Sequence, residues 1–462
     1  MPIIECNTLI IGAGPGGYVA AIRAGQLGVD TVIVEAVADG GTCLNVGCIP
    51  SKALIHVADE FEKTSHFANG SPIGIKSAKL EIDLGQTVKW KDGIVNRLTG
   101  GVGGLLKKNK VRSIKGWATF VDGKTVDVKT ADGTQTVRAR NIIIATGSAP
   151  VELPFLPFGG DIISSTEALD LTAPPENLAV VGAGYIGLEM GIAFAKLGSK
   201  VTVVEALDRI LPLYDKDMTR PIVKKMKALG MEVLLGAKAK GKSSNGLDIE
   251  TAEGTAQTIA ADKILVTVGR KPVTAGWGRD NLVLDMDGRF IKIDDQCRTS
   301  MNGIYAIGDV TGEPMLAHRA MAQGEMVAEI IAGHNRSWDK QCIPAICFTD
   351  PEVVSAGLSP DESKAAGEDI ITQMFPFAAN GRAMTMEAED GFIRIVACKD
   401  DHVVLGIQAV GGGVAELSAS FGLAIEMGAR LEDIAGTIHA HPTQGEAFQE
   451  AALRTLGHAL HI

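Results

Sequence analysis

Residues 8–36, "TLIIGAGPGGYVAAIRAGQLGVDTVIVEA", and residues 178–206, "LAVVGAGYIGLEMGIAFAKLGSKVTVVEA", align without a gap at an offset of 170. Gly12, Gly14, Gly17, Gly28 and Glu35 fall on Gly182, Gly184, Gly187, Gly198 and Glu205. Each copy reads as an apolar strand, a G-x-G-x-x-G turn, a helix-period segment, a second apolar strand and a terminal glutamate, the pattern of a dinucleotide-binding βαβ unit. The residue types follow from what such a unit has to do. The first glycine makes a tight turn, the second lets backbone approach a pyrophosphate, and the third lets helix pack on strand. The helix start offers unpaired N–H groups to the anion. The glutamate accepts from ribose hydroxyls and repels a 2′-phosphate, so both copies are expected to prefer an unphosphorylated ribose. One such turn is weak evidence, but two in strict register, each with its acid, constrain the chain to two nucleotide units.

A shorter repeat supports the first. "NIIIATGSAP" (141–150) and "KILVTVGRKP" (263–272) are both apolar strands followed by a glycine, Gly147 or Gly269, and a proline, and each completes one unit. "GIYAIGDVTG" (303–312) puts Asp309 at a strand's carboxyl end, where open α/β sheets bind ligands. Proline-rich "TAPPEN" (172–177) reads as a linker into the second unit, and "GRKPVTAGWGRDN" (269–281) as its exit, which makes the second unit an insertion in the first. Beyond "AGHNRSWDKQCIP" the pattern changes to short β-prone runs, "EVVSAGL", "FIRIVAC" and "VVLGIQAV", followed by helical segments. The expected fold class is α/β, with two Rossmann-like dinucleotide-binding domains, one inserted in the other, plus a C-terminal α+β domain. The expected boundaries are 1–150, 151–275, 276–345 completing the first unit, and 346–462.

Composition narrows the function class. A chain of 462 residues exceeds one ordinary core, and its 46% hydrophobic and 21% charged residues are those of a globular protein. A net charge of −11 argues against a nucleic-acid surface. The longest apolar stretch carries Glu189 and several glycines, so no membrane span is expected. The start, "MPIIECNTLIIGAG", lacks a basic n-region, so a cytoplasmic location is expected.

Cys43 and Cys48, in "GGTCLNVGCIPSKAL", stand five positions apart. Neither has a C-x₂-C or H-x₃-H partner, so zinc is not expected. Cys342 and Cys347 share the same separation, which shows that spacing alone means little. Those two, with Cys6, Cys297 and Cys398, are expected to be buried small hydrophobes. Five residues of regular helix rise about 7.5 Å, beyond the roughly 7 Å limit on Cα separation for a disulfide. Bonding therefore needs irregular backbone, which Gly40, Gly41 and Gly47 permit. Pro50 suits the opening of a helix over "SKALIHVADEFEK". A cysteine near that helix start, with Lys52 beside it, forms a thiolate more readily.

Together, "GGTCLNVGCIPSKAL", the two nucleotide units, "ATGS", "YAIGDV" and "HAHPTQGEAF" resemble the dihydrolipoamide dehydrogenases, flavoproteins of the 2-oxoacid dehydrogenase and glycine cleavage complexes. The resemblance spans essentially the whole chain. It implies FAD in the first unit, held by Gly12, Gly14, Gly17 and Glu35, with Lys52, Gly147, Asp309, Met315, Leu316 and Ala317 toward the flavin end. It implies NAD in the second, held by Gly182, Gly184, Gly187, Glu205 and Gly269. It further implies that dihydrolipoamide is oxidised through a Cys43–Cys48 disulfide and FAD to NAD⁺, with Cys43 facing the substrate and Cys48 the flavin.

A substrate dithiol has to lose a proton before it attacks, so a base is required. Taken alone, His439 and His441 are structural histidines or half a metal site. The resemblance implies His441 as the base, oriented by Glu446, and pairs Lys52 with Glu189. It also implies a homodimer through the C-terminal domain, in which the histidine loop reaches the cysteines of the other subunit, and a lipoyl-bearing protein as partner. Within flavin disulfide reductases, a glutathione reductase calls for cationic groups for NADPH where Glu205 stands. A mercuric reductase carries a C-terminal cysteine pair, whereas the last cysteine here is Cys398. A non-catalytic nucleotide-binding scaffold needs none of Cys43, Cys48, His441 and Glu446. One departure bears on the loop's rigidity: Gln444 and Gly445 stand where the family commonly has an apolar residue and serine.

Overall fold

The computed structural model describes residues 3–68, 71 and 73–462; Met1 and Pro2, at the start read above as signal-free, lie outside them. The first sheet contains β1 (Ile4–Ile11), β2 (Thr31–Glu35), β3 (Arg112–Lys115), β4 (Trp117–Phe120), β5 (Thr125–Thr130) and β6 (Gly133–Ile144), in the order β3-β2-β1-β6-β5-β4. β1, β2, β3 and β6 run parallel, and the strand Ile304–Ala306 adds parallel to β6. Continuous apolar runs such as "TVIV" in β2 suit strands covered on both faces, and Leu9, Ile10, Ile33 and Ile142–Ile144 are all buried. Each such side chain contributes about 1.5–3 kcal/mol on burial.

Helix α1 (Pro15–Gln26) opens on Pro15, whose missing N–H costs nothing in the first turn. It lies against the helix Ala317–Ile331 so closely that a Cβ on Gly324 would come within 2.3 Å of the Gly16 carbonyl oxygen. Small residues on both helices, Gly16, Ala20, Ala320 and Gly324, permit this approach.

The chain leaves the first unit through Ser148–Pro150 and re-enters through Arg270–Pro272, and these two strands pair antiparallel. Between them lies a second parallel sheet, in the order Glu232–Leu235, Lys200–Glu205, Asn177–Val181, Lys263–Val266, Ile162–Ile163, with a three-stranded antiparallel layer from 238 to 260. The fold is therefore α/β, one dinucleotide-binding unit inserted in another. An antiparallel five-stranded sheet follows, running Ala345–Cys347, Glu352–Gly357, Val404–Gly411, Phe392–Cys398, Ile370–Pro376. It packs through Ile393, Ile395 and Ile407 on Phe421, Phe448 and Ala451 of the helices Ser418–Glu426 and Glu446–Thr455.

Helices α2 (Gly41–Val46) and α3 (Cys48–Ala68) carry the two cysteines. The break falls at Gly47, with φ −139° and ψ −111°. The helix starts at Cys48, two residues before the proline that was expected to open it. Pro50 is the third helical residue, where its absent N–H is still one of the unpaired first four, so the earlier start is free of cost.

A single core joins α3 to the second parallel sheet and the C-terminal sheet: Leu54 and Ala58 pack with Leu188, Phe194, Val353 and Phe392. Beside it, buried Lys196 meets Asp59 at 2.5 Å and Asp350 at 2.6 Å, while Lys225 meets Glu62 at 2.8 Å and Asp350 at 3.0 Å. Among the described residues no helix is long and apolar enough to cross a membrane, and no group of three or more His, Cys, Asp or Glu is placed to hold a metal.

Candidate active site

The two nucleotide turns repeat down to single hydrogen bonds. Gly12 and Gly182 have φ of +99° and +102°, which L side chains rarely adopt. A Cβ on Gly17 would stand 1.9 Å from the Gly12 oxygen, and one on Gly187 2.2 Å from the Gly182 oxygen. Gly14 and Gly184, by contrast, face open space at the helix starts. The Glu35 carboxylate accepts from the N–H groups of Ala13 at 2.7 Å and Val37 at 2.8 Å. Glu205 accepts likewise from Ala183 at 2.7 Å and Leu207 at 2.9 Å. Each acid is thus fixed by the turn it serves.

From Gly12, Gly14 and Glu35 a cavity of about 550 Å³ runs to Cys43, Cys48, Lys52, Gly147, Asp309, Met315 and Ala317. Of the residues assigned to FAD, two do not line it. Gly17 lies behind the turn, filling the packing role of a third glycine. Leu316 caps the helix Ala317–Ile331, its carbonyl accepting from Ala320 at 3.2 Å, between cavity-lining Met315 and Ala317. The cavity fits FAD on its own chemistry. An open Cβ direction at a helix start suits a pyrophosphate, a fixed carboxylate suits a ribose, and two thiols and a lysine close the far end.

At that end the Cys43 thiol donates a hydrogen bond to Cys48. This bond, joined by the Lys52 ammonium, outweighs burial and pulls the Cys48 thiol down to about 7. The same bond and burial push the Cys43 thiol upward. Lys52 Nζ pairs with Glu189 Oε2 at 2.8 Å, and Glu189 is only 4% exposed. The Phe348 N–H donates to Glu189 Oε1 at 2.9 Å, while its ring lies 4.6 Å from Lys52 Nζ. Asp309 accepts from Ser148 Oγ at 2.5 Å, and Ser148 in turn accepts from Arg270 Nε at 2.8 Å.

Arg270, Ser148, Tyr185 and Phe348 were missed from sequence. Arg270 follows Gly269 directly and Ser148 follows Gly147, so the paired glycine turns held the only signal. Burial pushes the Tyr185 hydroxyl, on the cavity wall, up to about 12. Gly182, Gly184, Gly187, Glu205 and Gly269 do not line this cavity. They gather at the carboxyl end of the second parallel sheet, where Gly269 (φ +122°) begins the return strand.

The remaining cysteines are corrected in part. Cys297 and Cys347 are buried, but Cys6, Cys342 and Cys398 are only half-buried, because their strand ends and loops lie at sheet margins.

His441 and Glu446 lie apart from the cavity. Their Nδ1···Oε1 distance is 2.8 Å, and Glu446 Oε2 accepts from the Thr443 N–H at 2.8 Å. Burial alone would raise the Glu446 carboxyl; the Thr443 N–H and His441 outweigh it and hold it below the usual range. His441 is 81% exposed. His439 instead has its Nδ1 2.9 Å from the Thr437 carbonyl and its ring edge-on to Phe448.

The family model described as pyridine nucleotide-disulphide oxidoreductase matches residues 6–324, and that of the family's dimerisation domain matches residues 343–452. The chain belongs to the pyridine nucleotide-disulphide oxidoreductase family. Among relatives in this family, the dihydrolipoyl dehydrogenase of Pseudomonas aeruginosa is 60% identical, over 100% of this chain and 99% of its own. That of Geobacillus stearothermophilus is 48% identical, over 99% and 98%. Among solved structures, LpdA from Mycobacterium tuberculosis has a TM-score of 0.89 at 26% identity, covering 97% of this chain and 99% of its own.

Proposed function

We infer that the chain oxidises protein-bound dihydrolipoamide to lipoamide with FAD and NAD⁺, and that Cys43 and Cys48 are the exchanging pair. The observation that carries this is the pair of free thiols, Cys43 and Cys48, on the wall of a dinucleotide cavity beside the Lys52–Glu189 pair. Identity of 60% to a dihydrolipoyl dehydrogenase over the whole chain supports the same substrate.

In the oxidised protein one substrate thiol loses its proton to solvent and the thiolate attacks Cys43 Sγ. The Cys43–Cys48 bond breaks, and Cys48 leaves as a thiolate stabilised by Lys52. His441 of the other subunit, held by Glu446, takes the proton of the second substrate thiol. That thiolate attacks the sulfur joined to Cys43, which leaves as Cys43 thiolate, and cyclic lipoyl disulfide departs. Two electrons and two protons have left the substrate, and the cysteines hold the electrons. When bound, FAD supplies the acceptor for this pair, with NAD⁺ as the final sink. Gly12, Gly14 and Glu35 hold FAD's pyrophosphate and ribose; Gly182, Gly184, Glu205 and Gly269 hold NAD. Glu205 disfavours a 2′-phosphate.

The working unit is a homodimer, and the lipoyl group arrives on the carrier protein of a 2-oxoacid dehydrogenase or glycine cleavage complex. We place the reaction in the cytoplasm, where dithiols stay reduced. The division at 150, 275 and 345 belongs to the same proposal, supported by the paired crossing strands Ser148–Pro150 and Arg270–Pro272. Reduction of the purified protein by dihydrolipoamide tests the whole reading. A thiolate-to-flavin absorbance band and faster turnover with NAD⁺ than NADP⁺ are expected; no band, or a preference for NADP⁺, overturns it.

A further inference from the structure

A side chain as exposed as His441 has no packing to hold its ring, so its orientation has to come from hydrogen bonds. Those bonds lead inward along an irregular segment between Thr437 and the helix Glu446–Thr455. Glu446 Oε1 faces His441 Nδ1, and Glu446 Oε2 accepts from the Thr443 N–H. The Thr443 carbonyl accepts from Asn380 Nδ2 at 3.1 Å. Asn380 is 4% exposed, and its Oδ1 accepts from Ala383 at 2.9 Å, so it is fixed as the cap of the helix Gly381–Thr385.

The next residue provides a second tie. Gln444 Nε2 donates to the Gly412 carbonyl at 2.5 Å. Gly413 (φ +76°) leaves room for it, since a Cβ there would stand 3.0 Å from Gln444 Oε1. The departure noted in the sequence therefore puts a hydrogen-bonding amide where the resemblance implied an apolar contact. Two amides, one buried and one local, thus tie down Thr443, whose N–H orients Glu446, and the residue that follows it.

We propose that Asn380 and Gln444 are positioning residues that hold the His441–Glu446 pair in the geometry needed to take a proton from a substrate thiol. This rests on the reading of His441 as the base. Neither amide touches substrate; each acts through Thr443 and Glu446. Misplacing a reacting group by a fraction of an ångström lowers the rate of the step and leaves substrate affinity alone.

The test uses the FAD-loaded dimer and three variants, Gln444→Leu, Asn380→Asp and His441→Gln. Asn380→Asp keeps the acceptor for the Ala383 N–H and loses the donor to Thr443. For the two loop variants, kcat for dihydrolipoamide oxidation should fall about tenfold, with KM for dihydrolipoamide and the rate of NADH-driven reduction of an artificial acceptor both within about twofold. A parental kcat in either loop variant, or parallel loss of both activities, overturns the inference. A fall in His441→Gln beside parental rates in the loop variants overturns the clamp alone. A parental dihydrolipoamide rate in His441→Gln overturns the base assignment, and the clamp with it.

Discussion

At the scale of single residues, the site separates two thiols of the same type by what surrounds them. Cys48 accepts from Cys43 and faces Lys52, and its thiol is drawn down to about 7; Cys43, the donor, is pushed up. The thiolate is the charged form, so a lowered value means thiolate above that pH and thiol below it. The lysine favours the charged form, so its removal should raise the value. In the reduced protein, alkylation of Cys48 should rise with pH through about 7, and Lys52→Gln should move that rise to higher pH. Mass-spectrometric counting of label at Cys48 reads both profiles, and coincident profiles would show that Lys52 plays no electrostatic part. The residue types at 43, 48 and 52 were legible in sequence because flanking glycines and a nearby lysine set this pair apart from the equally spaced Cys342 and Cys347. Phe348 was not: it reaches Lys52 from 296 positions away, through folding alone.

At the scale of elements, one strand-turn-helix unit is used twice, and the copies answer to the same substitutions at different ligands. Gly14 and Gly184 have extended backbone and open space ahead of them, so alanine is tolerated by the fold at both and intrudes only on a bound pyrophosphate. Gly14→Ala should weaken FAD retention, read as flavin lost on gel filtration, while the far-UV circular dichroism is unchanged. Gly184→Ala should keep its flavin and raise KM for NAD⁺ about tenfold or more. Unfolding in both would mean that these glycines serve packing, as Gly17 does. The repeat, the insertion and the C-terminal change of pattern were all readable from periodicity. The start of α3 was missed by two residues, because the proline that signals a first turn is accepted anywhere within it.

At the scale of the whole molecule, Lys196 ties α3 to the inserted unit and to Asp350, in the turn between the first two strands of the C-terminal sheet. Lys196→Met removes a buried ammonium from half-exposed Asp59 and leaves Asp350 with Lys225 alone, and should cost about 1.5–3 kcal/mol. Scanning calorimetry should show a clear fall in Tm; an unchanged Tm would mean that the charges are dispensable. This network could not be read from sequence, since its members are spread from 59 to 350 and no spacing between them marks a pair. The distance of exposed His441 from the cavity of its own chain has a consequence best stated in genetic terms. If every working centre borrows its histidine from the other subunit, then Cys43→Ser and His441→Gln are null alleles that complement. Random reassortment of the two inactive proteins should restore about one quarter of parental activity, because half the dimers are mixed and each carries one intact centre. Failure to recover activity in dimers shown to be mixed would place both groups in a single chain. Either allele expressed beside the parental gene should then do no harm, since a parental subunit paired with a mutant one still completes one working centre, as many as it supplies in a parental dimer.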